Sequence, residues 1–397
     1  MQIFKFYQPL NLDELKNMFR IGLIVNPIAG IGGTVGFKGS DGLEILNQAR
    51  KRGGLIQSPR RTEEFLTELK VIINDIKIYT LKGVMGGNSA LKEGFKTEFL
   101  MIEGIPTLTK LFETNSSFTI RTAKKMKDLI LDLTIFVGGD GTARDIFESV
   151  GSEIPCLGIP SGVKINSSVF AVNPKAAAKL LIEYYNGHSH LRESEVLDID
   201  ESAFRDNRVV SKLYGYLSTP YLPTLSQPSK MASPQTLEEK NNQLRIADWI
   251  VKQMGNSGLD YYYLLGPGTT VRAIAEVLNQ DKTLLGVDLF FNKKCIAMDL
   301  NEQQILKNIE NKKVKLIVTP IGAQGFVFGR GNLQLSPKIL LKIGLENIII
   351  IATKFKISSL PKGKLRIDSR DSSFDEKFFG LHRVLADFGE INIIEVK

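Results

Sequence analysis

The chain has 397 residues, enough for two domains that each bury a core, and its apolar and charged fractions are those of an ordinary globular protein. Its net charge of +8 is scattered over short clusters such as Lys124-Lys125-Met126-Lys127, with no long basic tract, which argues against nucleic acid as a partner. No apolar run reaches the roughly 18 residues that would span a bilayer, and no strongly amphipathic anchoring helix stands out, so no membrane partner is expected.

Ile21 to Asn26 reads as a short strand, followed by a Gly-rich loop to Gly42. Segments 43–52 and 62–73 read as helices, Ile76 to Leu81 as a strand, and Gly83-Val-Met-Gly-Gly87 as the opening of another helix. Phe99 to Ile102 reads as a strand and Thr122 to Leu129 as a helix. A nearly continuous apolar run then ends in Gly138-Gly139-Asp140-Gly141-Thr142, and an amphipathic segment, Ala143 to Val150, follows at once. Such a run predicts a strand buried on both faces. Pro155 to Pro160 adds a strand and Pro174 to Tyr185 a helix. The alternation predicts an α/β protein whose first domain, residues 1–190, is a Rossmann-like parallel sheet with helices on both faces.

Beyond the boundary near residue 190, strands are expected at 195–200 and 209–217, then a loop or mobile lid at 218–234, rich in Pro, Ser and Thr. A long helix, Leu237 to Met254, carries the only tryptophan, Trp249. Strands at Tyr261 to Leu265, Leu316 to Thr319, Asn347 to Thr353 and Ile391 to Val396 make residues 191–397 a mixed α+β domain, whose last strand could return to the first domain. Cys156 and Cys295 read as buried thiols in a reducing compartment, and the three histidines show no zinc-site spacing. The N-terminal segment lacks a signal-peptide core, so a cytoplasmic location is expected.

Glycines at 138, 139 and 141 allow a tight turn and close approach of a ligand, while the following helix aims its N-terminus, with Thr142, at an anion such as phosphate. Asp140 would repel phosphate, so it makes sense as a Mg²⁺ ligand or as the acceptor of a proton from an attacking hydroxyl. The loop after the first strand, with Asn26, Gly30 and Gly33, suits wrapping round a nucleotide; Asp41 is its one carboxylate. In Gly158-Ile-Pro-Ser-Gly-Val-Lys-Ile-Asn-Ser167, adjacent sheet position would put Lys164 and Asn166 beside Asp140, the lysine for phosphate and the asparagine for a ribose. A lysine on a solvated helix start is the alternative. Gly266-Pro-Gly-Thr-Thr270 (with Gly268 and Thr269) and Thr319-Pro-Ile-Gly322 repeat the pattern of a strand followed by a small-residue loop. Arg330 reads as a phosphate ligand or as an exposed arginine, and Asn301-Glu302 as a helix cap. The usual P-loop, the Gly-x-Ser-x-Gly elbow and the Gly-x-Gly-x-x-Gly fingerprint after the first strand are missing.

Gly138 to Thr142 resembles the signature of the ATP-NAD kinase family. Asn26 to Gly33, Gly158 to Phe170, Leu213 to Tyr216, Gly266 to Thr270 and Thr319 to Asn332 look like blocks of its archaeal and bacterial branch, which includes the AcoX-like proteins. The resemblance implies an NAD-kinase-like C-terminal domain and a site in the cleft between domains. It implies Mg²⁺-dependent transfer of a phosphoryl group from ATP or polyphosphate to the 2′-hydroxyl of NAD, yielding NADP, by a homodimer or homotetramer. Asp140 would be the catalytic residue, with Gly139 and Thr142 lining phosphate. Ala323-Gln324 departs from the family's Thr-Pro-x-Gly-Ser-Thr-Ala-Tyr segment. A kinase with another small-molecule or lipid acceptor, and a non-catalytic nucleotide-binding accessory protein, are the alternatives.

Overall fold

The computed structural model describes residues 18–37, 43–163, 165–199, 211–229, 234, 236–256 and 261–397. The first half is built on a wholly parallel sheet of β1 (Phe19–Val25), β2 (Ile76–Thr80), β3 (Lys96–Phe99), β4 (Leu133–Gly138) and β5 (Cys156–Pro160), in the order β3-β2-β1-β4-β5. Every residue of β4 is buried, which is why its sequence is apolar without alternation. β3 lies three residues earlier than expected. It is an edge strand with alternate residues exposed, so its pattern is half polar and the apolar run beyond it drew the reading forward.

Among the described residues the first half has six helices: α1 (Leu43–Lys51), α2 (Ser58–Glu68), α3 (Gly87–Lys92), α4 (Ser116–Asp128), α5 (Asp140–Val150) and α6 (Pro174–Tyr185). Phe65 and Leu66 of α2 and Ala177 and Leu180 of α6 pack on one face of the sheet; Met126 of α4 and Ile146 of α5 pack on the other. β6 (His190–Ile199) and β7 (Ser211–Tyr221) form an antiparallel hairpin. Its Val196 and Leu217 join the core under α4 and α5, and Gly215 sits on the Phe147 ring, where a Cβ would come within 2.1 Å of Cζ. By packing, then, the hairpin beyond residue 190 sits on the first half, and we place the division between residues 229 and 236.

The expected lid is partly strand, since β7 runs to Tyr221. Its described continuation is pinned rather than open: Val172 N donates to Leu225 O and Gln227 N to Phe170 O, each at 2.8 Å. Ser226 and Gln227 are buried.

The second half contains α7 (Leu237–Asn256), α8 (Thr269–Val277), α9 (Glu302–Asn308), α10 (Pro337–Ile343), α11 (Lys354–Ser358) and α12 (Ser372–Phe378). They accompany a mixed seven-stranded sheet of β8 (Tyr261–Leu265), β9 (Asp288–Phe291), β10 (Lys294–Ala297), β11 (Lys313–Val318), β13 (Ile348–Ile351), β15 (Gly380–Leu385) and β16 (Ile391–Val396). The order is β10-β9-β8-β11-β13-β15-β16, with β8, β11, β13 and β15 parallel and an antiparallel hairpin at each end. The last strand therefore stays in the second sheet. β12 (Phe326–Phe328) and β14 (Arg366–Ile367) form a separate short parallel pair. Cys156 is buried, which pushes its thiol up to about 12, whereas Cys295 is only half-buried; both are free. Among the described residues no helix is long and apolar enough to cross a membrane.

Polar contacts lock the halves together. The Arg61 guanidinium of α2 grips the Asp368 carboxylate through two bonds of 2.9 and 2.8 Å. Arg370 donates to Pro160 O (2.9 Å) and Gly162 O (3.0 Å), at the end of β5. Gly331 N donates to Val163 O (3.1 Å) and Glu302 N to Thr34 O (3.1 Å). Removing one partner of a buried ion pair leaves an uncompensated charge. Asp368→Leu, which strands both Arg61 and Arg330, is expected to destabilise the protein by about 3–5 kcal/mol, read as a lower urea midpoint.

Candidate functional site

In the first sheet β1 and β4 are neighbours, but the chain leaves β1 for β2 and β3 on one side and leaves β4 for β5 on the other. Loops that diverge from adjacent parallel strands open a crevice at the strands' carboxyl ends. Asn26 ties the two loops together: its N–H donates to Val137 O (2.9 Å) and its side-chain amide to Thr142 Oγ1 (3.1 Å). Gly30 has φ +80°, and a Cβ there would lie 2.0 Å from Ser161 O, so no side chain fits. At Gly138 a Cβ would lie 2.3 Å from Thr142 Oγ1. Beneath the loops, Ser58 Oγ and Ser161 Oγ share a hydrogen bond of 2.6 Å.

Asp140 is the first residue of α5, and Gly139 at the cap position supplies no side chain. The first turn, with Gly141 and Thr142, thus keeps its N-terminal N–H groups uncapped by any side chain where β4 ends. The Asp140 carboxylate is 5% exposed. Its Oδ2 accepts from Asn166 N (2.7 Å) and Nδ2 (2.8 Å), and its Oδ1 accepts from Ser167 N (3.0 Å) and Oγ (2.6 Å). Burial raises its pKa to about 6, against the opposing pull of the hydrogen bonds from Ser167 and Asn166.

A carboxylate has about four acceptor positions, and all are taken here. Among the described residues no group of three or more His, Cys, Asp or Glu side chains could hold a metal ion. The residues present do not fit a protein-held Mg²⁺. The Ser167 hydroxyl offers one adjustable contact. It carries a single proton but stands near two acceptors, Asp140 Oδ1 and Leu197 O (2.8 Å), while accepting from Leu197 N (2.9 Å). Turning that proton to Leu197 O frees one acceptor position on Asp140.

The second sheet repeats the arrangement. From β8 the chain goes to β9 and β10 on one side, and β11 returns on the other side of β8. Gly268, at φ +113°, precedes α8 without a capping side chain, and a Cβ there would lie 2.9 Å from Thr319 Cγ2. Thr269 is exposed in the first turn of α8. Thr319 Oγ1 accepts from the buried Lys356 ammonium at 2.9 Å. Gly322 opens a short turn, Gly322–Gln324, that leads back toward the first crevice. There Gln324 Nε2 donates to Ile165 O (2.9 Å), one residue before Asn166.

The expected site residues thus fall into two groups. Asn26, Gly30, Gly138, Gly139, Asp140, Gly141, Thr142 and Asn166 gather at the first crevice, and Gly268, Thr269 and Thr319 at the second. Gly33 packs against the second half, where a Cβ would lie 2.5 Å from Leu333 Cδ1. Lys164 and Asp41 lie outside the described residues. Arg330 is not an exposed arginine: it is buried, stands over the Phe326 ring, and donates to Asp368, Gln227 Oε1, Gly329 O and Val172 O. Asn301 caps α9 in a capping box with Gln304. Ser167, Gln324 and Lys356 are not among the site residues expected from the sequence, where Gln324 figures only as a departure from the family's segment. Ser167 adjoins Asn166, which was a local signal; Gln324 and Lys356 reach their partners only through the fold.

Comparison with models of known families matches residues 21–189 to the ATP-NAD kinase N-terminal domain and residues 260–396 to the ATP-NAD kinase C-terminal domain. Searches of curated proteins and of solved structures gave no match.

Because Asp140 keeps its proton up to about pH 6 when folded, against 3.8 for a free aspartate, its contribution to stability is fully present at low pH. That contribution is lost as pH rises through about 6, at a cost of about 3 kcal/mol above both values. Urea unfolding of wild type and Asp140→Asn from pH 4 to 8 is expected to show wild type losing stability relative to the variant between about pH 4 and 6, with little further change above.

Proposed function

Because the chain belongs to the ATP-NAD kinase family, we propose that it transfers the terminal phosphoryl group of ATP, or of polyphosphate, to the 2′-hydroxyl of NAD. The observation that carries this reading is the Asp140 carboxylate at the first crevice, buried so that its pKa is raised to about 6, and oriented by Asn166 and Ser167. A base of that strength suits removal of a hydroxyl proton.

In the proposed step Ser167 turns its proton to Leu197 O, and the freed Asp140 oxygen accepts the proton of the acceptor hydroxyl. The hydroxyl oxygen then attacks the terminal phosphorus, the bond from phosphorus to the bridging oxygen breaks, and ADP or the shortened polyphosphate leaves with that electron pair. Phosphate oxygens would lie against the uncapped first turn of α5 and the loop of Gly30. The second crevice, with Gly268, Thr269, Thr319 and Gly322, would hold the second ligand, so that donor and acceptor meet between the halves. Magnesium, on this reading, arrives on the donor's phosphates. The chain would work as a homodimer or homotetramer, as the resemblance implies.

The filled acceptor positions of Asp140 favour a second reading, a nucleotide-binding accessory protein that never performs the transfer. Purified protein incubated with Mg²⁺, NAD and either donor, with NADP detected by an NADP-specific dehydrogenase, separates the two. Product is expected with at least one donor. Asp140→Asn should lower kcat by about 10²–10⁴ while NAD binding persists. In wild type, kcat/KM should fall about tenfold per pH unit below about 6, as the base is protonated. Nucleotide binding without product would establish the accessory role.

A further inference from the structure

Four arginines are buried where the halves meet: Arg61, Arg330, Arg366 and Arg370, each less than a tenth exposed. Among the described residues one carboxylate bonds them, Asp368, and it is already engaged by Arg61 and Arg330. Arg370 finds only the carbonyls of Pro160 and Gly162. Arg366 finds only Pro223 O, at 3.5 Å. Three guanidinium nitrogens are buried without any partner: Arg61 Nε, Arg370 Nε and Arg366 Nη1. The other carboxylates nearby are bonded elsewhere. Asp140 is held by Asn166 and Ser167, Asp375 accepts from Ser369 N, and Glu64 bonds Arg60.

Burying guanidinium charge without a counter-charge is costly, and here the positive groups outnumber the bonded carboxylate four to one. The strain shows in proton affinity: burial and the neighbouring Arg330 charge lower Arg366 to about 10. Guanidinium groups bind tetrahedral oxyanions through paired N–H donors, and Arg366, with Nη1 unpartnered and Nη2 held only by Pro223 O at 3.5 Å, has both of its terminal nitrogens to offer. We infer that this cluster is a binding site for a phosphate-class oxyanion, with Arg366 as its least satisfied ligand. The site is distinct from the two crevices and stands whether or not the chain transfers a phosphoryl group. It adjoins the first crevice, because Arg370 holds the segment after β5 that leads to Asn166 and Ser167.

The anion has two possible sources, free phosphate or a phosphoryl group of a nucleotide. Thermal unfolding is measured with inorganic phosphate, with ATP and with chloride at matched ionic strength, and acid-released phosphate is assayed with molybdate. Wild type is expected either to gain several degrees with phosphate or to release about one equivalent of resident phosphate. Arg366→Gln should lose both effects, and Arg366→Lys, which keeps the charge but not the fork, should retain part of them. Asp140→Asn should behave as wild type, which separates this site from the transfer reaction. A shift with ATP alone that Arg366→Gln abolishes assigns the anion to the nucleotide. No shift and no resident phosphate in wild type, or Arg366→Gln indistinguishable from it, overturns the proposal.

Discussion

Asp368 is the charge on which the two halves are aligned. Its carboxylate takes a two-pronged grip from Arg61 on α2 and a third bond from Arg330, all out of water. Three guanidiniums hold it well below the usual carboxylate range in spite of burial. A buried pair of this kind contributes little net stability over apolar packing. It does penalise misalignment heavily, because any slip strands a charge. Two residues on, Arg370 clamps the carbonyls at the end of β5. The segment that orients Asp140 is thereby positioned by the other half of the molecule.

Asp140 itself is a compromise between opposing effects. Burial disfavours its charge, and four hydrogen bonds favour it. Neither wins outright, and the outcome near 6 keeps the carboxylate mostly ionised at neutral pH yet still basic enough to accept a proton. The second sheet contributes its own crevice rather than a wall, and the turn ending in Gln324 links the two.

Much of the first half was legible because its signals are local. The apolar run of β4, the glycines after it and the Asn-capped α6 announce themselves within a dozen residues. β8 and β16 were read to the residue, as short apolar runs with clear ends. β10 and β15 were not, since these strands alternate and carry a lysine and a histidine; β9, though buried, is only four residues long. The sequence reading puts a boundary near residue 190, but the hairpin beyond it packs backward onto α5. Gly329-Arg330-Gly331 looks like an exposed turn; it is buried because Gly329 passes so close to Asp368 that a Cβ would sit 1.8 Å from its carbonyl oxygen. Arg61 and Asp368 stand 307 residues apart in sequence, a separation over which no periodicity speaks.

If Asp140 acts as proposed, the Ser167 hydroxyl gives the β6–β7 hairpin a hold on its chemistry. Leu197 lies on β6, next to Asp198, which Arg144 of α5 ties down at 2.9 Å. Helix and hairpin therefore move as one frame, and the distance from Leu197 O to the serine sets which acceptor its proton prefers. A small displacement of β6 would retune the basicity of Asp140 without touching any ligand. Random mutagenesis scored for activity should then return hits along the hairpin, with substrate affinity preserved and only the pH profile displaced. Such positions would tolerate change in packing far better than change in placement, a form of constraint that burial alone does not reveal.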